Sequence, residues 1–247
     1  MKPQKFLCLP LLAILIFFLS SCNSGSDETT TTTTDSVSSD TVTATTTAPE
    51  TNVVTTPENV MVVRHKVKDF AKWKASYDEH DSMRLANGIH NYVIGRGVKD
   101  TNTVMVAVKF DDVAKAKAFS KDPSLKAAMQ KGGVTGTPSF SLSTVVYQDM
   151  AASMSDLRSM TTFTVKDWDA WKKSFESYRQ SRTDNGLTDR AYGYDIDDNH
   201  KVTLVVGVND SAKAEAFWNG EVIKQRRAES GVVGQPERFV YRVVQKY

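Results

Sequence analysis

The chain has 247 residues, 40% hydrophobic and 24% charged, the balance of a globular protein long enough for one or two domains. Its 31 basic and 29 acidic side chains nearly cancel, which argues against nucleic acid, a partner that needs a concentrated basic surface. The only cysteines are Cys8 and Cys22, and loss of the first with the leader described next leaves no second thiol for a disulfide or a cysteine metal site.

Lys2 and Lys5 precede an apolar run from Phe6 to Leu19, interrupted only by Cys8 and Pro10, and small residues follow. This is the layout of a secretory signal, too short and wrongly flanked for a membrane span. The run ends in Leu19-Ser20-Ser21-Cys22, which resembles the bacterial lipobox, whose cysteine is acylated through its thiol and becomes the new N-terminus. Residues 1–21 are thus expected to be a lipoprotein signal peptide, with the acylated Cys22 anchoring the mature chain to membrane lipid. The expected location is the cell envelope, lipid-anchored to the outer membrane and facing the periplasm or the surface. Removing Lys2 and Lys5 leaves 29 basic against 29 acidic residues.

Residues 22–58 are rich in Ser, Thr, Asp, Glu and Pro, including six consecutive threonines from Thr29. Such a segment cannot bury enough apolar surface to offset its ordering entropy and is expected to be a disordered tether.

The remainder contains an internal repeat. Val67-Lys68-Asp69-Phe70 with Trp73-Lys74 recurs 98 positions later as Val165-Lys166-Asp167-Trp168 with Trp171-Lys172. The same shift carries Arg84 onto Arg182, Asn87-Gly88 onto Asn185-Gly186, Ala114-Lys115-Ala116 onto Ala212-Lys213-Ala214, and "GVTGTP" from Gly133 onto "GVVGQP" from Gly231. Roughly a third of the aligned positions agree, in order and without gaps, which marks a duplication. The copies span residues 59–149 and 153–247.

In each copy an opening strand is expected first, at Val60 to Val67 and Met160 to Val165. A helix follows from Asp69 to Asn87, with Phe70, Trp73 and Tyr77 on one stripe and Gly88 as its stop; Trp168, Trp171 and Phe175 mirror the stripe. Two strands come next, at Tyr92 to Val98 and Val104 to Phe110, joined by an Asp100-Thr101-Asn102 turn whose counterpart is Asp198-Asn199-His200. Asp112 and Asp210 should cap a second helix, broken near Asp122-Pro123. After a loop at the repeated Gly-Pro segment, a last strand runs from Phe140 to Tyr147 or Phe239 to Val244. The order βαββαβ is the ferredoxin-like unit, so the fold class is α+β with two tandem units. Val104, Val106, Val108 and Phe110 are apolar, and so are Met105 and Ala107 on the opposite face. A sheet apolar on both faces needs a cover on each, and the other copy is the expected one, sheet against sheet.

The segments "VKDFAKWKASYDEH", "RLANG", "FDDVAKAKAF" with "DPSLKAAM", and "GVTGTP" resemble the dimeric α/β-barrel superfamily, in particular its antibiotic-biosynthesis-monooxygenase-like and cyclase-like domains. The resemblance covers nearly everything after residue 59. It implies an intramolecular barrel, a monomeric pseudo-dimer in place of the usual homodimer. It implies no single chemistry, because monooxygenases without cofactors, isomerases and haem enzymes share this architecture.

A ligand site is expected between the first helix and the sheet. Tyr77, His80 and Arg84 continue the stripe of Phe70 and Trp73, with Phe175, Tyr178 and Arg182 as counterparts. Arg84 and Arg182 either orient a carboxylate or phenolate or pair with neighbouring acids and helix-end carbonyls. His65, His80 and His90 lie in the first copy alone, and with Tyr92 they are expected to line a pocket as proton-transfer groups. Their spacing fits no metal motif, so neither metal nor cofactor is expected. The Lys224, Arg226 and Arg227 cluster reads as a solvated helix face, and the repeated Gly-rich loops, lacking the P-loop lysine and hydroxyl, read as turns. The leading expectation is a ligand-binding or non-catalytic lipoprotein that takes a small aromatic molecule. The rival is a cofactor-independent monooxygenase-like or isomerase-like enzyme acting on a small aromatic or quinone-like molecule.

Overall fold

The computed structural model describes residues 52–247; the signal peptide, Cys22 and the tether as far as residue 51 lie outside the described residues. A short strand, β1 (Val53–Val54), precedes the first copy, which comprises β2 (Glu58–Val67), α1 (Phe70–Glu79), α2 (Asp81–Ala86), β3 (Ile89–Gly97), β4 (Thr103–Phe110), α3 (Val113–Phe119), α4 (Pro123–Lys131) and β5 (Val134–Asp149). The second copy comprises β6 (Leu157–Val165), α5 (Trp168–Ser177), α6 (Arg179–Asp184), β7 (Leu187–Asp195), β8 (Asp198–Val208), α7 (Ser211–Asn219), α8 (Glu221–Glu229) and β9 (Val232–Lys246). Val53 and Val54 pair with Asp149 and Gln148, so residues within the segment expected to be tether as far as 58 already belong to the sheet. No helix among the described residues is long and apolar enough to cross a membrane.

Aspartates start the helices as expected. The Asp69 and Asp167 carboxylates accept the backbone N–H of Lys72 and Ala170, each at 2.7 Å, and Asp112 and Asp210 do the same for Lys115 and Lys213. Gly88 and Gly186 close the first helical segment with φ of 66° and 72°, a conformation that favours glycine. The single helix expected from Asp69 to Asn87 is two helices that meet at His80, with Tyr178 at the same break in the second copy.

Each copy forms a four-stranded antiparallel sheet, ordered β5-β2-β4-β3 and β9-β6-β8-β7. The sheets do more than face each other: β3 pairs with β9 and β5 pairs with β7, closing a barrel of the eight strands β2 to β9, with β1 added on β5. Closure removes the open edges that a lone sheet would present to other chains. Two glycines, again 98 residues apart, permit the seams. A Cβ on Gly95 would lie 2.3 Å from Tyr241 Cδ2, and one on Gly193 would lie 2.1 Å from the Thr144 carbonyl oxygen.

The two apolar faces of the central strands serve two cores. Val104, Val106, Val108 and Phe110 pack under the helices with Trp73 and Phe119, whereas Met105 and Ala107 point into the barrel with Met160 and Tyr241. Trp73 and Trp171, each 3% exposed, anchor α1 and α5 to the sheet; truncating either to alanine removes burial and leaves a cavity worth about 3–5 kcal/mol.

Two expected turns differ. The second copy's hairpin closes at Ile196-Asp197, so Asp198 already belongs to β8. The "GVTGTP" segment lies within β5: the β2–β5 ladder jumps from Arg64 opposite Ser139 to Lys66 opposite Thr135, and Gly136 takes up the bulge at φ 69°. Gly234 does the same in β9 at φ 71°.

Candidate functional site

The bulge in β5 has a consequence for β2. His65, the residue skipped by the ladder, is turned under α1 and is 5% exposed. Its ring lies 5.4 Å from that of Trp73 at 53°, and neither ring nitrogen has a hydrogen-bond partner among the described residues. Burial pushes its pKa from the ordinary 6.5 down to about 4, so the imidazole is neutral at physiological pH. It lines a pocket of about 70 Å³ between helices and sheet, walled by Met61, Trp73, Tyr77, Val106, Met129 and Phe140, with His80 and Arg84 at its polar side.

Tyr77, His80 and Arg84 are thus brought together with His65, but the polar atoms of Tyr77 and Arg84 and the Nδ1 of His80 are already engaged. The Tyr77 hydroxyl donates to Asn91 Oδ1 at 2.5 Å, and burial raises its pKa. Arg84 is stacked 3.7 Å over the Tyr77 ring and donates to Asn91 Oδ1 at 3.0 Å and Asp81 Oδ1 at 3.1 Å. His80 Nδ1 donates to the Ser76 carbonyl at 2.7 Å across the helix break. Arg84 therefore fastens α2 to β3, and its charge is answered within the protein.

The second copy repeats the architecture with different chemistry. Arg182 lies 3.5 Å over Phe175 and grips Asp189 with two hydrogen bonds, 2.7 and 2.6 Å, while donating to the Phe175 carbonyl. Of the two roles expected for these arginines, the geometry is that of pairing with neighbouring acids. Phe163 replaces His65 at the same distance from its tryptophan, 5.4 Å at 59° to Trp171. The pocket here, about 100 Å³, is lined by Phe163, Trp171, Tyr178, Arg182 and Trp218 and rimmed by Arg226, Arg227 and Arg238.

These last three arginines were not expected here. Arg226 stacks 4.1 Å over Tyr178 and donates to Ser181 Oγ at 2.6 Å; Arg238 stacks 4.1 Å over Trp218, and its Nε has no partner. Burial, then the charge of Arg227, pulls the Arg238 pKa down to about 10, and it remains a cation at neutral pH. Of the cluster read as a solvated face, Lys224 is exposed and paired with Glu221, but Arg226 and Arg227 turn inward for a reason the spacing contains: Ile223, Arg226, Arg227 and Ser230 share one helical stripe, and all four line the pocket.

Two expected residues belong elsewhere. His90 is exposed and paired with Asp111 at 3.0 Å. Tyr92 is on the other face of the sheet, inside the barrel, with its hydroxyl 3.6 Å from Met150 Sδ. The helix-facing polar residue of β3 is Asn91, because alternation from the buried Ile89 skips His90. Among the described residues no three His, Cys, Asp or Glu side chains gather as metal ligands.

A duplicated ferredoxin-like sheet, closed into one barrel with helices outside, defines the class of this protein. Its architecture is that of a dimeric α/β barrel carried in one chain. No family model matches the sequence, and no curated protein matches it. Among solved structures it is similar to an anthrone oxidase-like protein, at TM-score 0.54 and 12% identity over 79% of this chain and 95% of that one. It is similar also to a protein of Fusobacterium nucleatum assigned as a monooxygenase, at TM-score 0.51 and 12% identity over 76% and 93%. A protein assigned as a chlorite dismutase matches at TM-score 0.54 and 13% identity over 76% and 96%. At these identities the likeness is one of fold.

Proposed function

We propose that this chain is a lipid-anchored protein of the bacterial cell envelope that binds a small aromatic molecule in its helix–sheet pockets. One observation carries the binding role. Of the four buried side-chain polar atoms without a partner among the described residues, three belong to residues that line these pockets: both ring nitrogens of His65 in one and Arg238 Nε in the other. A buried polar group left unsatisfied costs about 1–3 kcal/mol, and a ligand with a hydroxyl or carbonyl recovers it. Aromatic walls at Trp73, Tyr77, Trp171 and Trp218 favour a flat, apolar body. The anchor is supported by the apolar run and lipobox-like Leu19-Ser20-Ser21-Cys22.

The alternative is a cofactor-independent monooxygenase or isomerase acting on an aromatic or quinone-like substrate, favoured by the fold neighbours assigned as monooxygenases. Such chemistry begins with removal of a substrate proton, and of the pocket's two imidazoles, His65 and His80, His65 is the one with neither nitrogen partnered among the described residues. With a pKa of about 4 it is poorly matched to a phenol near 10: six units amount to about 8 kcal/mol uphill. A neutral imidazole of this kind is better suited to exchanging a hydrogen bond than to taking a proton.

Titration of residues 52–247 with 1-naphthol, followed by tryptophan fluorescence, tests the binding role. Saturable binding that His65→Phe weakens tenfold or more supports it. Absence of saturation up to millimolar naphthol would remove its basis, and oxygen uptake with a hydroquinone would favour the enzyme instead.

A further inference from the structure

The barrel interior, on the opposite face of the sheet from these pockets, holds a cavity of about 200 Å³. Its two halves are not alike. Each copy has a β-bulge at the same repeat position, Tyr92 between Asn91 and Val93, and Arg190 between Asp189 and Ala191, and both bulge residues line the interior. Beside Arg190 stands Arg158, 4% exposed, where the first copy has Val60. Lys246 stands where the first copy has Gln148.

Arg158 Nη1 donates to the carbonyls of Ser155 and Leu157, at 2.6 and 2.9 Å, and meets no carboxylate among the described residues. Arg190 approaches Asp149 at 3.3 Å and donates to the Ala151 carbonyl at 2.7 Å. Lys246 has no ion pair among the described residues. The neighbouring acids are committed elsewhere: Asp156 to Arg242 at 2.7 Å, and Glu58 to Lys109 at 2.6 Å and to Gln148. The two arginines flank one point, since a Cβ on Gly207 would lie 3.5 Å from Arg158 Nη1 and 3.7 Å from Arg190 Cδ. Three cations thus line an apolar chamber with one carboxylate, Asp149, which only Arg190 approaches.

The fold does not require this charge, because the first copy builds the same strands with Val60, Tyr92 and Gln148. Burying an arginine without a counter-ion is costly, and an anion from outside relieves the cost. We propose that the barrel interior is a second binding site, for an amphipathic anion whose carboxylate or sulfonate meets Arg158, Arg190 and Lys246 while its apolar body lies along Met105, Ala107, Met160 and Val205.

The test uses residues 52–247, within which the barrel closes on itself. Two probes share an apolar body and differ in charge: 1-anilinonaphthalene-8-sulfonate and the neutral N-phenyl-1-naphthylamine. Fluorescence titration should show the sulfonate binding at least tenfold more tightly than the neutral amine. Lys246→Ala, at an exposed position, should weaken the sulfonate several-fold, and adding Arg158→Gln should bring the loss to between tenfold and a hundredfold. Sulfonate-induced amide shifts should concentrate at Met105, Ala107 and Val205. Equal affinity for both probes, unchanged sulfonate binding in folded Lys246→Ala, or shifts confined to the helices would each overturn the proposal. The comparison of probes on the wild-type protein decides the matter even where Arg158→Gln fails to fold.

Discussion

Replacing His65 with phenylalanine should stabilise the protein while removing its capacity to bind an aromatic ligand in the first pocket. Phe163 holds the equivalent place in the second copy, with its ring at the same 5.4 Å from tryptophan as His65, so the site has the shape for phenylalanine. At pH 7 the substitution eliminates two buried nitrogens without partners, and the expected net gain is about 1–2 kcal/mol, or about 2–8 °C in Tm for a domain of this size. Acid should widen the difference. The folded state holds His65 near pKa 4 whereas the unfolded chain binds a proton near 6.5. Between those values the unfolded state therefore binds more protons, and wild-type stability is present above pH 6.5 and lost as pH falls toward 4. The full interval is worth about 3 kcal/mol, so the variant's advantage should grow by about 2–3 kcal/mol from pH 7 to pH 4.5. Urea unfolding of both proteins at the two pH values measures this directly. An advantage that does not change with pH, or a variant less stable than wild type at pH 7, would refute the reasoning.

Other perturbations test the barrel, the buried pair and the anchor. Gly193→Ala drives a Cβ into the Thr144 backbone at the β5–β7 seam and should cost about 3 kcal/mol, whereas Gly95→Ala meets a movable Tyr241 ring and should cost about 1–2 kcal/mol; thermal melts rank them. Asp189→Ala leaves Arg182 buried and unpaired and should cost about 3–5 kcal/mol, against about 1 kcal/mol or less for Asp81→Ala, whose partner Arg84 keeps Asn91; comparable losses would mean the pairs are not the fasteners described. Sedimentation of residues 52–247 should give a monomer, and a stable homodimer would contradict self-contained closure. Cys22→Ala should abolish palmitate labelling and release the chain from membranes; retention in the membrane fraction would point to another anchor.

The duplication made the fold legible, because each element could be read twice. Caps at Asp112 and Asp210, the helix start at Asp69, the core tryptophans and the doubly apolar β4 all followed from pattern. The seams did not, since the need for Gly95 and Gly193 depends on which strands become neighbours. Of the site, His65, Tyr77, His80 and Arg84 could be grouped from the stripe on α1 and α2 and the opening strand. His90 and Tyr92 were misplaced because the bulge at Tyr92 breaks the alternation of β3. The arginine partners were hidden for a subtler reason: the acid moves between copies, from Asp81 on a helix to Asp189 on a strand, so neither repeat predicts the other's pair. The inward turn of Arg226 and Arg227 was available from their spacing to Ile223 but was outweighed by the charge of the segment.

Native mass spectrometry of the protein extracted from membranes tests the central claim most directly. The account predicts a chain that begins at an acylated Cys22 and carries a non-covalent small organic molecule, shed on collisional activation and missing from His65→Phe. A chain without lipid, or one that carries no such molecule and takes up none when mixed with 1-naphthol, would contradict it.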